Sequence, residues 1–539
     1  MSLSNQIFVF NNINLSPNAS FEEAFSVVKR KLKRLDISLA DISFSVFRKS
    51  IDARKRSDIK IVYSIAASGR FSAKERGLLE REGAFEVFFR EPEFEIGSEK
   101  ISAPPVVVGT GPCGLFAALL LAENGYAPIV LERGACVKER QRAVRAFESG
   151  SPLSPDTNIQ FGAGGAGTFS DGKLITRIND PYSSYVLKRL VEFGAPEEIK
   201  YLAKPHVGTD ILSVVVDRIL TRIEDLGGKV YYNTKFQKPI TDVSGRADAV
   251  LTSRGEMKAG AVIIATGHSA RDTYSSLIEL GMTAEAKPFS VGMRIEHLTE
   301  DIDKAMYGDF AGNENLGHAE YALSHNTKVR GVYTFCMCPG GEVVAGASES
   351  LGVVTNGMSR HARAGKNSNS AVVCSVFKED FGSSPLEAIE FQRKIERAAY
   401  AAGGSDYSAP IITVGDFLQG SLRSEPSRIQ PTYMSSSGRV RLADPSTYLP
   451  KFVCDGIKGA LSAFDNKIKG FAASDAVLTG AETRTSAPIR FTRDKESGLS
   501  LGYDNIYPAG EGAGYAGGIT SAAIDGIRTA MLIMRRYKP

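Results

Sequence analysis

The sequence predicts an α/β fold in which a parallel sheet is assembled from two separate parts of the chain. The first observation is a strand, a glycine-rich turn, a helix and a second strand in succession between residues 104 and 134. The second is an apolar strand followed by a helix at the C-terminal end, NIYPAGEGAGYAGGITSAAIDGIRTAMLIMRR. The third is a change of character between them, where short strands alternate with Ser-, Asn- and Gly-rich joints. This order is typical of a doubly wound sheet that carries an inserted domain.

Length and composition describe an ordinary globular protein of several domains. With 539 residues the chain exceeds the roughly 100–200 residues of a typical domain, which predicts two or three domains. Hydrophobic residues make up 43% and charged residues 23%, which excludes disorder as the main state. The net charge of +4 predicts no general attraction to nucleic acid or anionic membranes. Six scattered cysteines favour a reducing compartment over a disulfide-linked secreted fold.

The first 96 residues predict a small α+β domain. Apolar runs IFVF, ISFSVF, IKIVYSIAA and FEVFF alternate with helical stretches such as FEEAFSVVKRKLKRL. The basic residues of this helix and of a nearby loop are Lys29, Arg30, Lys31, Lys33, Arg34, Arg54, Lys55 and Arg56. We interpret these charges as a solvated surface. A nucleic-acid or partner-docking surface is the alternative, although the aromatic signature of an RNA-binding motif is lacking.

The remaining elements follow a boundary near residues 97–104, where EPEFEIGSEKISAPP has no periodicity. PPVVVG, GPCGLFAALLLAENG and APIVLERG predict one βαβ unit of a buried parallel sheet. LSVVVDRILTRIEDLGGKVYYNT predicts a helix that ends at a glycine pair, and AGAVIIATG predicts another apolar strand. GVYTFCMC, EVVAGAS and PLEAIEFQRKIERAAYAAG predict two strands and a helix of a mixed inserted domain. The predicted domains are 1–96, 104–290, 291–480 and 481–539, with the second and fourth sharing one sheet.

A glycine motif stands at the turn of the βαβ unit. Gly109, Gly111 and Gly114 match G-x-G-x-x-G, which permits a tight turn, close approach of a pyrophosphate and close packing of the helix. Glu132 ends the second strand, 132 − 109 = 23 residues after the first glycine, and suits the hydroxyl pair of a ribose. Together these features predict a Rossmann-like dinucleotide site, and a structural glycine turn is the alternative. The predicted ligands are Gly109, Gly111, Pro112, Gly114, Glu132 and Arg133.

Two further segments resemble the flavin-binding signatures of the glutathione-reductase superfamily. One is ATG at 265–267, and the other is NIYPAGEGAGYAGGITSAAIDG. The resemblance implies non-covalently bound FAD, with a glycine–acid pair at the ribityl chain and a helix N-terminus that stabilises negative charge on the reduced flavin. Many flavoproteins have Asp where this chain has Glu511, which predicts a longer or displaced ribityl contact. The residues implied are Thr266, Gly267, Gly510, Glu511, Gly518 and Ile519.

Essentially the whole chain resembles one family of uncharacterised FAD-dependent dehydrogenases, of the NAD(FAD)-utilising type, near the fumarate-reductase flavoproteins. LERG, NIQFGAGGAGTFSDGKL, AVIIATGHSARDTY, FCMCPGG, VVTNGMS and GAETRTSAPIRF carry the resemblance. GAGGAG at 162–167 follows no apolar strand and opens no helix, so a second dinucleotide turn is not expected there. The resemblance implies that this loop wraps the FAD diphosphate or the flavin edge, through Gly165, Ala166, Gly167, Thr168, Ser170 and Lys173. Arg140 is a candidate phosphate or adenine contact, with a solvated helix charge as the alternative.

The cysteines and histidines predict no disulfide-reductase site and no metal site. A disulfide reductase of this superfamily needs a cysteine pair soon after the second strand, where Cys136 has no partner. Cys336 and Cys338 would point to the same face of a strand and could approach the flavin, with buried packing as the alternative. The other cysteines and the six histidines have no metal-ligand spacing.

The sequence offers candidates for substrate binding and proton transfer. Two arginines and two hydroxyls in ETRTSAPIR could bind a small anionic substrate, with an ion-paired loop as the alternative. His206 and His268 are candidate proton donors because imidazole titrates near neutral pH, and structural roles are the alternative. Arg484 is a third candidate catalytic group. The predicted substrate ligands are Arg484, Thr485, Ser486 and Arg490.

The predicted function is an FAD-dependent oxidoreductase, a dehydrogenase or reductase that acts on an unidentified small substrate by hydride transfer at flavin N5. The electron partner stays open, and NAD(P)H visiting the flavin is one candidate. A cytoplasmic protein is expected, because no run approaches the ~18 apolar residues of a membrane span and no signal peptide is recognised. The alternatives are a flavin-dependent RNA-modifying or RNA-associated protein that uses the basic N-terminal domain, and a non-catalytic flavin redox sensor.

Overall fold

The structure is a computed structural model, which describes residues 5–176, 180–327 and 329–539. Within these residues the larger sheets contain four, five and seven strands. The mixed α/β architecture predicted from the sequence is confirmed at this level. The predicted domain boundaries stay predictions.

The N-terminal sheet is antiparallel and carries two helices. Its elements are β1 (Gln6–Leu15), α1 (Phe21–Arg34), β2 (Ser43–Asp52), β3 (Lys60–Gly69), α2 (Ala73–Arg81) and β4 (Phe85–Glu86). The strand order β2-β3-β1-β4 is that of the ferredoxin-like βαββαβ motif. Ala24 and Val28, four residues apart on α1, share a core with Phe8 and Phe10 of β1. The predicted strand FEVFF is shorter than expected, because only Phe85–Glu86 pairs with β1.

The next group of elements contains the predicted βαβ unit, β6-α3-β7. The group comprises β5 (Glu99–Lys100), β6 (Val106–Val108), α3 (Pro112–Glu123), β7 (Ile129–Leu131), α4 (Val137–Glu148), α5 (Ser183–Glu192), α6 (Thr209–Asp225), β8 (Lys229–Tyr231), β9 (Phe236–Thr241), β10 (Ala247–Thr252), β11 (Gly255–Lys258), β12 (Val262–Ile264), α7 (Arg271–Glu279) and β13 (Ala284–Ala286). The helix α6 ends just before Gly227 and Gly228, as the glycine pair predicted.

A seven-stranded sheet follows, with the order β15-β16-β19-β14-β22-β20-β21. The elements of this region are β14 (Phe289–Leu298), α8 (Thr299–Tyr307), β15 (Ser324–Asn326), β16 (Gly331–Cys338), β17 (Glu342–Ala345), β18 (Thr355–Met358), β19 (Asn367–Val376), α9 (Lys378–Phe381), α10 (Pro385–Ala402), β20 (Ala409–Thr413), α11 (Val414–Gln419), β21 (Val440–Leu442), α12 (Lys451–Lys467) and β22 (Val477–Glu482). Neighbouring strands are antiparallel except β20 and β21. The central strands β14 and β19 are buried along almost their whole length.

The C-terminal segment returns to the parallel sheet. Its elements are β23 (Ile489–Phe491), β24 (Ile506–Pro508), α13 (Ile519–Arg536) and β25 (Tyr537–Lys538). The parallel sheet has the order β24-β12-β6-β7-β8, so a strand from the end of the chain pairs with strands from its first half. These strands are short and, at β6, β12 and β24, fully buried, as parallel strands covered on both faces require.

Two buried helices start at the same edge of the parallel sheet. The helix α3 follows β6 and α13 follows β24, and parallel strands present their carboxyl ends at one edge. The helix α3 is apolar on all sides because it packs between its sheet and other helices. At Gly526 of α13 an added Cβ would lie 2.0 Å from the Cys113 carbonyl oxygen. This glycine therefore permits the close packing that brings both helix N-termini together.

Candidate functional site

A cavity of about 440 Å³ lies at the carboxyl ends of β6 and β12. The turn after β6 and the start of α13 form one part of its wall. The loop between α4 and α5, the segment after β12 and the strands β16 and β22 form further parts. The cavity therefore lies between the parallel sheet and the seven-stranded sheet, where open α/β folds commonly bind their ligands.

The three glycines of the motif have different surroundings, each suited to its predicted role. Gly109 has φ +101°, and an added Cβ would lie 2.4 Å from the Ala265 carbonyl oxygen. At Gly114 an added Cβ would lie 1.9 Å from the Gly109 carbonyl oxygen, so this glycine sets the close packing of helix on turn. At Gly111 an added Cβ meets no protein atom within 4 Å, and this residue lines the cavity. Gly114 itself does not line the cavity.

The N-termini of α3 and α13 both face the cavity without a side-chain cap. Gly111 and Gly518 are the N-cap residues, and neither helix has an acidic residue in its first turn. Pro112 and Ile519 stand at the first helical positions and line the cavity. Because the first N–H groups of a helix lack partners within the helix, these two ends offer backbone donors and positive dipole ends to an anionic ligand.

Glu132 lines the cavity, but its carboxylate already accepts four hydrogen bonds from the protein. One oxygen accepts from the N–H groups of Gly134 and Gly162, at 2.9 and 3.0 Å. The other accepts from the N–H and hydroxyl groups of Thr110, at 3.2 and 2.5 Å. Arg133 also lines the cavity, and its guanidinium forms ion pairs with Asp156 and Asp272. The Thr110 hydroxyl is the one side-chain donor among these four groups, and it also accepts from the N–H group of Gly164 at 3.2 Å.

The loop predicted to wrap the cofactor lies against the glycine turn. At Gly165 an added Cβ would lie 2.9 Å from the Gly111 Cα, and at Gly167 it would lie 3.3 Å from the Ile519 side chain. The loop therefore bridges the N-termini of α3 and α13. The predicted loop residues that line the cavity are Gly165, Ala166, Gly167, Ser170 and Lys173. Thr168 is buried outside the lining, where its hydroxyl donates to the Ala163 carbonyl.

Arg140 is neither a solvated helix charge nor part of the cavity lining. It is fully buried, and its guanidinium donates five hydrogen bonds to backbone carbonyl oxygens. The acceptors lie at 2.7–3.2 Å and belong to Asn158, Ile159, Gly162, Ala163 and Gly165. The predicted phosphate or adenine contact is therefore corrected: Arg140 satisfies buried carbonyls and fixes the shape of the loop that faces the cavity.

The C-terminal flavin-like segment places an unusual carboxyl group in the cavity wall. Gly510 has φ +74° and lies against Cys113, outside the lining, and its N–H donates to Asp525. Glu511 lines the cavity, as do Thr266 and Gly267 of the segment after β12. Burial raises the pKa of Glu511 to about 7, against the opposing charge of Lys287. Glu511 therefore changes its protonation near neutral pH.

The two candidate proton donors differ in position. His268 lines the cavity, and its Nδ1 lies 2.8 Å from the Ser269 hydroxyl. Burial, together with the charges of Arg484 and Arg271, lowers the pKa of His268 to about 3, so the ring is neutral at physiological pH. His206 lies outside the lining, stacked on His361 at 5.3 Å between ring centroids. Burial lowers the pKa of His206 as well.

The predicted anion-binding quartet does not come together. Arg484 and Thr485 line the cavity, whereas Ser486 and Arg490 do not. Arg490 is exposed and donates to the Gly514 carbonyl. Thr485 uses its hydroxyl in hydrogen bonds with the backbone of Ser290. The prediction that two guanidiniums converge on a substrate is therefore wrong.

The guanidinium of Arg484 belongs to a buried ionic network. Its Nε and Nη2 donate to Glu396 at 3.2 and 3.1 Å, and its Nη1 donates to the hydroxyls of Ser269 and Ser348. Arg271 forms a second bidentate pair with Glu396. Burial opposes the charge of Glu396, but Arg271 and Arg484 outweigh it and lower its pKa. The Nε and Nη2 of Arg484 are therefore held by Glu396, whereas Nη1 contacts only serine hydroxyls, which a ligand can replace.

A second charged cluster lines the cavity at Lys173. Its Nζ lies 3.4 Å from Asp171 and 3.3 Å from Glu320, and Arg363 pairs with both carboxylates. Burial opposes the charge of Lys173, but Glu320 and Asp171 raise its pKa. Lys204 also lines the cavity, with its side chain 55% exposed and its Nζ 3.9 Å from Glu320. Lys173 is thus paired within the protein, while Lys204 is more loosely held.

The cavity wall contains residues that the sequence reasoning did not select. Asp171 and Gly172 lie between two predicted loop residues, Ser170 and Lys173, in the segment SDGK. This position in the segment was a signal that they belong to the same cavity wall. Four more stand in segments that carry the family resemblance but were not selected there, namely Gln160, Ser269, Asn356 and Glu482. Thr234, Lys235, Glu320 and Tyr321 come from separate elements and have no local motif. Glu482 is held by Arg294 through two hydrogen bonds, at 2.6 and 3.0 Å.

The basic helix α1 is a largely solvated surface. Arg30, Lys33 and Arg34 are exposed, while Lys29 and Lys31 lie over the rings of Phe44 and Phe10. The sheet side opposite the helices carries small residues on β3, namely Val62, Ser64, Ala66 and Ser68. Sheets that bind RNA use aromatic side chains on this side. The structure thus offers no feature on β3 that favours the RNA alternative.

Comparisons with known proteins extend these observations. The family model "FAD-dependent protein, C-terminal domain-like" matches residues 288–485, and a domain of unknown function matches residues 9–68. An uncharacterised protein of Clostridium beijerinckii (strain ATCC 51743 / NCIMB 8052) is 45% identical over 536 residues, which is 98% of each chain. The chain belongs to the same family as this clostridial protein. The description of the matching family supports FAD as the cofactor.

Solved structures give weaker similarity. Glycine oxidase from Bacillus cereus ATCC 14579 is 10% identical with a TM-score of 0.32, covering 80% of this chain and 95% of that one. L-amino acid deaminase from Proteus vulgaris is 12% identical with a TM-score of 0.32, covering 83% and 97%. Among the described residues, no helix is long and apolar enough to cross a membrane.

Proposed function

We propose that the protein is an FAD-dependent oxidoreductase that acts on a small substrate. The observation that carries the proposal is the single cavity that joins the glycine turn and two helix N-termini to polar side chains of the seven-stranded sheet. In α/β folds a glycine turn and helix start of this kind bind the pyrophosphate of an extended dinucleotide. The family description, with its reference to FAD, supports the same cofactor.

The wall of the cavity fits an FAD molecule. At Gly111, Gly267 and Gly518 an added Cβ would meet no protein atom within 4 Å, so the ligand can approach the backbone directly. The uncapped N-terminus of α3 would hold the diphosphate, and that of α13 would face the flavin. Glu132 would bind the adenosine ribose in place of the Thr110 hydroxyl. These assignments use backbone N–H groups as the main ligands.

Bound FAD would supply the acceptor or donor of a hydride at flavin N5. The protein contributes groups that hold or move a proton. Glu511, with its pKa near 7, can hold or release a proton at its carboxylate within the cavity. Neutral His268 can accept a hydrogen bond or exchange a proton with the Ser269 hydroxyl, but it does not carry a positive charge at neutral pH.

We infer that an anionic group of the substrate would be bound by Lys204 and by the Nη1 of Arg484. Lys204 is half exposed and weakly paired, and Nη1 contacts only two serine hydroxyls, which an anion can replace. The remaining edge of Arg484 stays with Glu396. Charge recognition would then depend on two cations from distant parts of the chain. NAD(P)H is a candidate electron donor that reaches the flavin through the same cavity.

The test is the absorption spectrum of the purified protein, followed by acid release and chromatography of the flavin. Release of FAD supports the proposal, and absence of FAD after reconstitution would overturn it. Anaerobic mixing of the holoprotein with NADH and with NADPH then tests the electron donor. Bleaching of the flavin absorption identifies a nicotinamide-dependent reductase, and an unchanged spectrum favours a dehydrogenase or another electron carrier.

A further inference from the structure

Two cysteines of β16 lie beside the cavity at an irregular point of the strand. Cys336 has φ +45°, and the pairing of β16 with β19 slips by one residue between Phe335 and Cys338. This is a β-bulge, so the two cysteines do not follow the regular alternation that the sequence predicted. Cys336 lines the cavity, and Cys338 is fully buried behind it. The Sγ of Cys338 lies 3.3 Å from the Cys336 carbonyl oxygen.

The bulge is held in place by the buried guanidinium of Arg294. Its Nη1 donates to the Cys336 carbonyl at 3.0 Å and to Asn369 at 2.8 Å, while its other edge binds Glu482. On a regular strand two residues span roughly 6.6 Å, which is long for a disulfide between neighbouring side chains. At Cys336 the chain leaves this extended path, with φ +45°, and the side chains of Cys336 and Cys338 interact with each other. The fold therefore places two interacting thiols at the cavity wall, on a bulge whose backbone Arg294 holds.

The electrostatic surroundings of the two thiols differ. The Cys338 thiol interacts with the Cys336 thiol and lowers the pKa of Cys336. Burial opposes this decrease, and the charges of Arg294 and Lys173 add to it. The same interaction and burial raise the pKa of Cys338. By contrast, burial raises the pKa of Cys374 to about 11 and that of Cys454 to about 11. Cys336 is therefore the more acidic thiol, with the proton retained on Cys338, which is the polarity of a reactive cysteine and its resolving partner.

We propose that Cys336 and Cys338 form a redox-active dithiol–disulfide pair that exchanges two electrons with FAD bound in the cavity. This proposal rests on the proposed function. In the oxidising direction both S–H bonds break and one S–S bond forms. The two electrons and two protons released convert FAD to its two-electron reduced form. In the reverse direction the reduced flavin returns two electrons, and both sulfurs regain their protons. The site then holds two two-electron centres, and a small disulfide is the class of substrate that would react with the dithiol.

The first experiment measures the thiols independently of any enzymatic activity. The holoprotein is equilibrated anaerobically in glutathione buffers of graded potential, trapped with an alkylating reagent and digested with trypsin. The peptide 331–360 contains Cys336 and Cys338 and no other cysteine. We expect this peptide to change between a doubly alkylated form and an unalkylated disulfide form, with a two-electron Nernst slope. Failure to form the disulfide at any potential in the holoprotein would overturn the proposal.

The second experiment counts electrons. Oxidised wild-type holoprotein is titrated with dithionite, and the flavin absorption is followed to full bleaching. We expect four electrons per bound FAD in the wild type and two in Cys336→Ser and in Cys338→Ser, with Cys136→Ser as the control that keeps four. Two electrons in the wild type, with FAD retained and the pair oxidised at the start, would contradict exchange with the flavin. If none of these proteins retained FAD, the proposed function would be overturned instead. The peptide measurement distinguishes this result from failure of the dithiol proposal, because it reports disulfide formation directly.

Discussion

The two ends of the cavity are built in different ways. At the end formed by the turn after β6 and the starts of α3 and α13, the wall is backbone, and glycines keep it open. At the end formed by β16 and β22, the wall carries charged side chains that are paired with each other, such as Arg484 with Glu396 and Arg294 with Glu482. The first end therefore offers backbone donors and open space, whereas the second offers side chains whose charges are already paired.

This difference explains which parts of the site a sequence can predict. Backbone ligands need glycines at fixed spacings and a helix start, which are local features that leave a motif. Paired side chains come from strands far apart in the chain and need only a partner of opposite charge. A guanidinium in a motif can therefore bind a ligand or bind other groups of the protein. The guanidiniums of Arg140 and Arg484 bind mainly other groups of the protein.

The largest expected effect concerns Arg140, which supports the loop at the glycine-lined end of the cavity. Replacing Arg140 with Met leaves several buried carbonyls of the 158–165 loop without donors, so we expect a loss of about 3–5 kcal/mol in the free energy of unfolding. Chemical denaturation of the apoprotein measures it. The control is Arg142→Met on the exposed side of the same helix, which should change stability by less than about 0.5 kcal/mol. Equal stability of the two variants would show that Arg140 is not a support of the loop.

The second effect separates packing from ligand binding within the glycine motif. Gly114→Ala places a Cβ 1.9 Å from the Gly109 carbonyl, and we expect a loss of about 2–4 kcal/mol because backbone must move. Thermal unfolding of the apoprotein measures the change. Gly459→Ala in α12 is the matched control, since its Cβ meets no atom within 4 Å, and it should gain about 0.5–1 kcal/mol. A similar result for both glycines would contradict the close packing of α3 on the turn.

The third expected effect concerns the carboxyl group of Glu511, between the two ends of the cavity. The pKa of Glu511 rises from 4.5 to about 7 on folding, so the unfolded chain ionises first as the pH rises. The free energy of unfolding of the apoprotein should fall between about pH 4.5 and pH 7, and this contribution should be constant above pH 7. Glu511→Gln should remove roughly 1–2 kcal/mol of that pH dependence. Parallel stability–pH curves for the variant and the wild type would rule out a raised pKa.

The smallest expected effect concerns Arg490, which was wrongly predicted from the sequence to be a substrate ligand. Arg490 is exposed and contacts the Gly514 carbonyl and the Tyr515 ring, so Arg490→Ala should change unfolding free energy by less than about 0.5 kcal/mol. FAD content should also be unchanged. Arg484→Met should by contrast cost several-fold more stability, because Glu396 loses one of its two bidentate partners. The comparison requires only denaturation curves and flavin spectra.

Particular residues show how far the sequence predicted this fold. The runs of valine and isoleucine at β6 and β12, the glycine turn and the pair at the end of α6 are local patterns, and the structure has the elements they predict. The bulge at Cys336 was not predicted, because its cause is the register with β19 and the contact with Arg294. The separation of Arg490 from Arg484 was not predicted either, since β23 carries Arg490 away to pair with β13.

The central claim is that the backbone at the glycine turn holds FAD. The most direct measurement is the dissociation constant of FAD for apoprotein reconstituted from wild type and from Gly111→Ala, followed by quenching of flavin fluorescence. Gly111 has φ −62°, and its Cβ would meet no protein atom, so the variant should fold with unchanged stability while the added methyl occupies the cavity. We expect FAD to bind at least about tenfold more weakly, a change of about 1.4 kcal/mol. Equal affinity in a folded variant would contradict the account, because FAD would then not contact this turn.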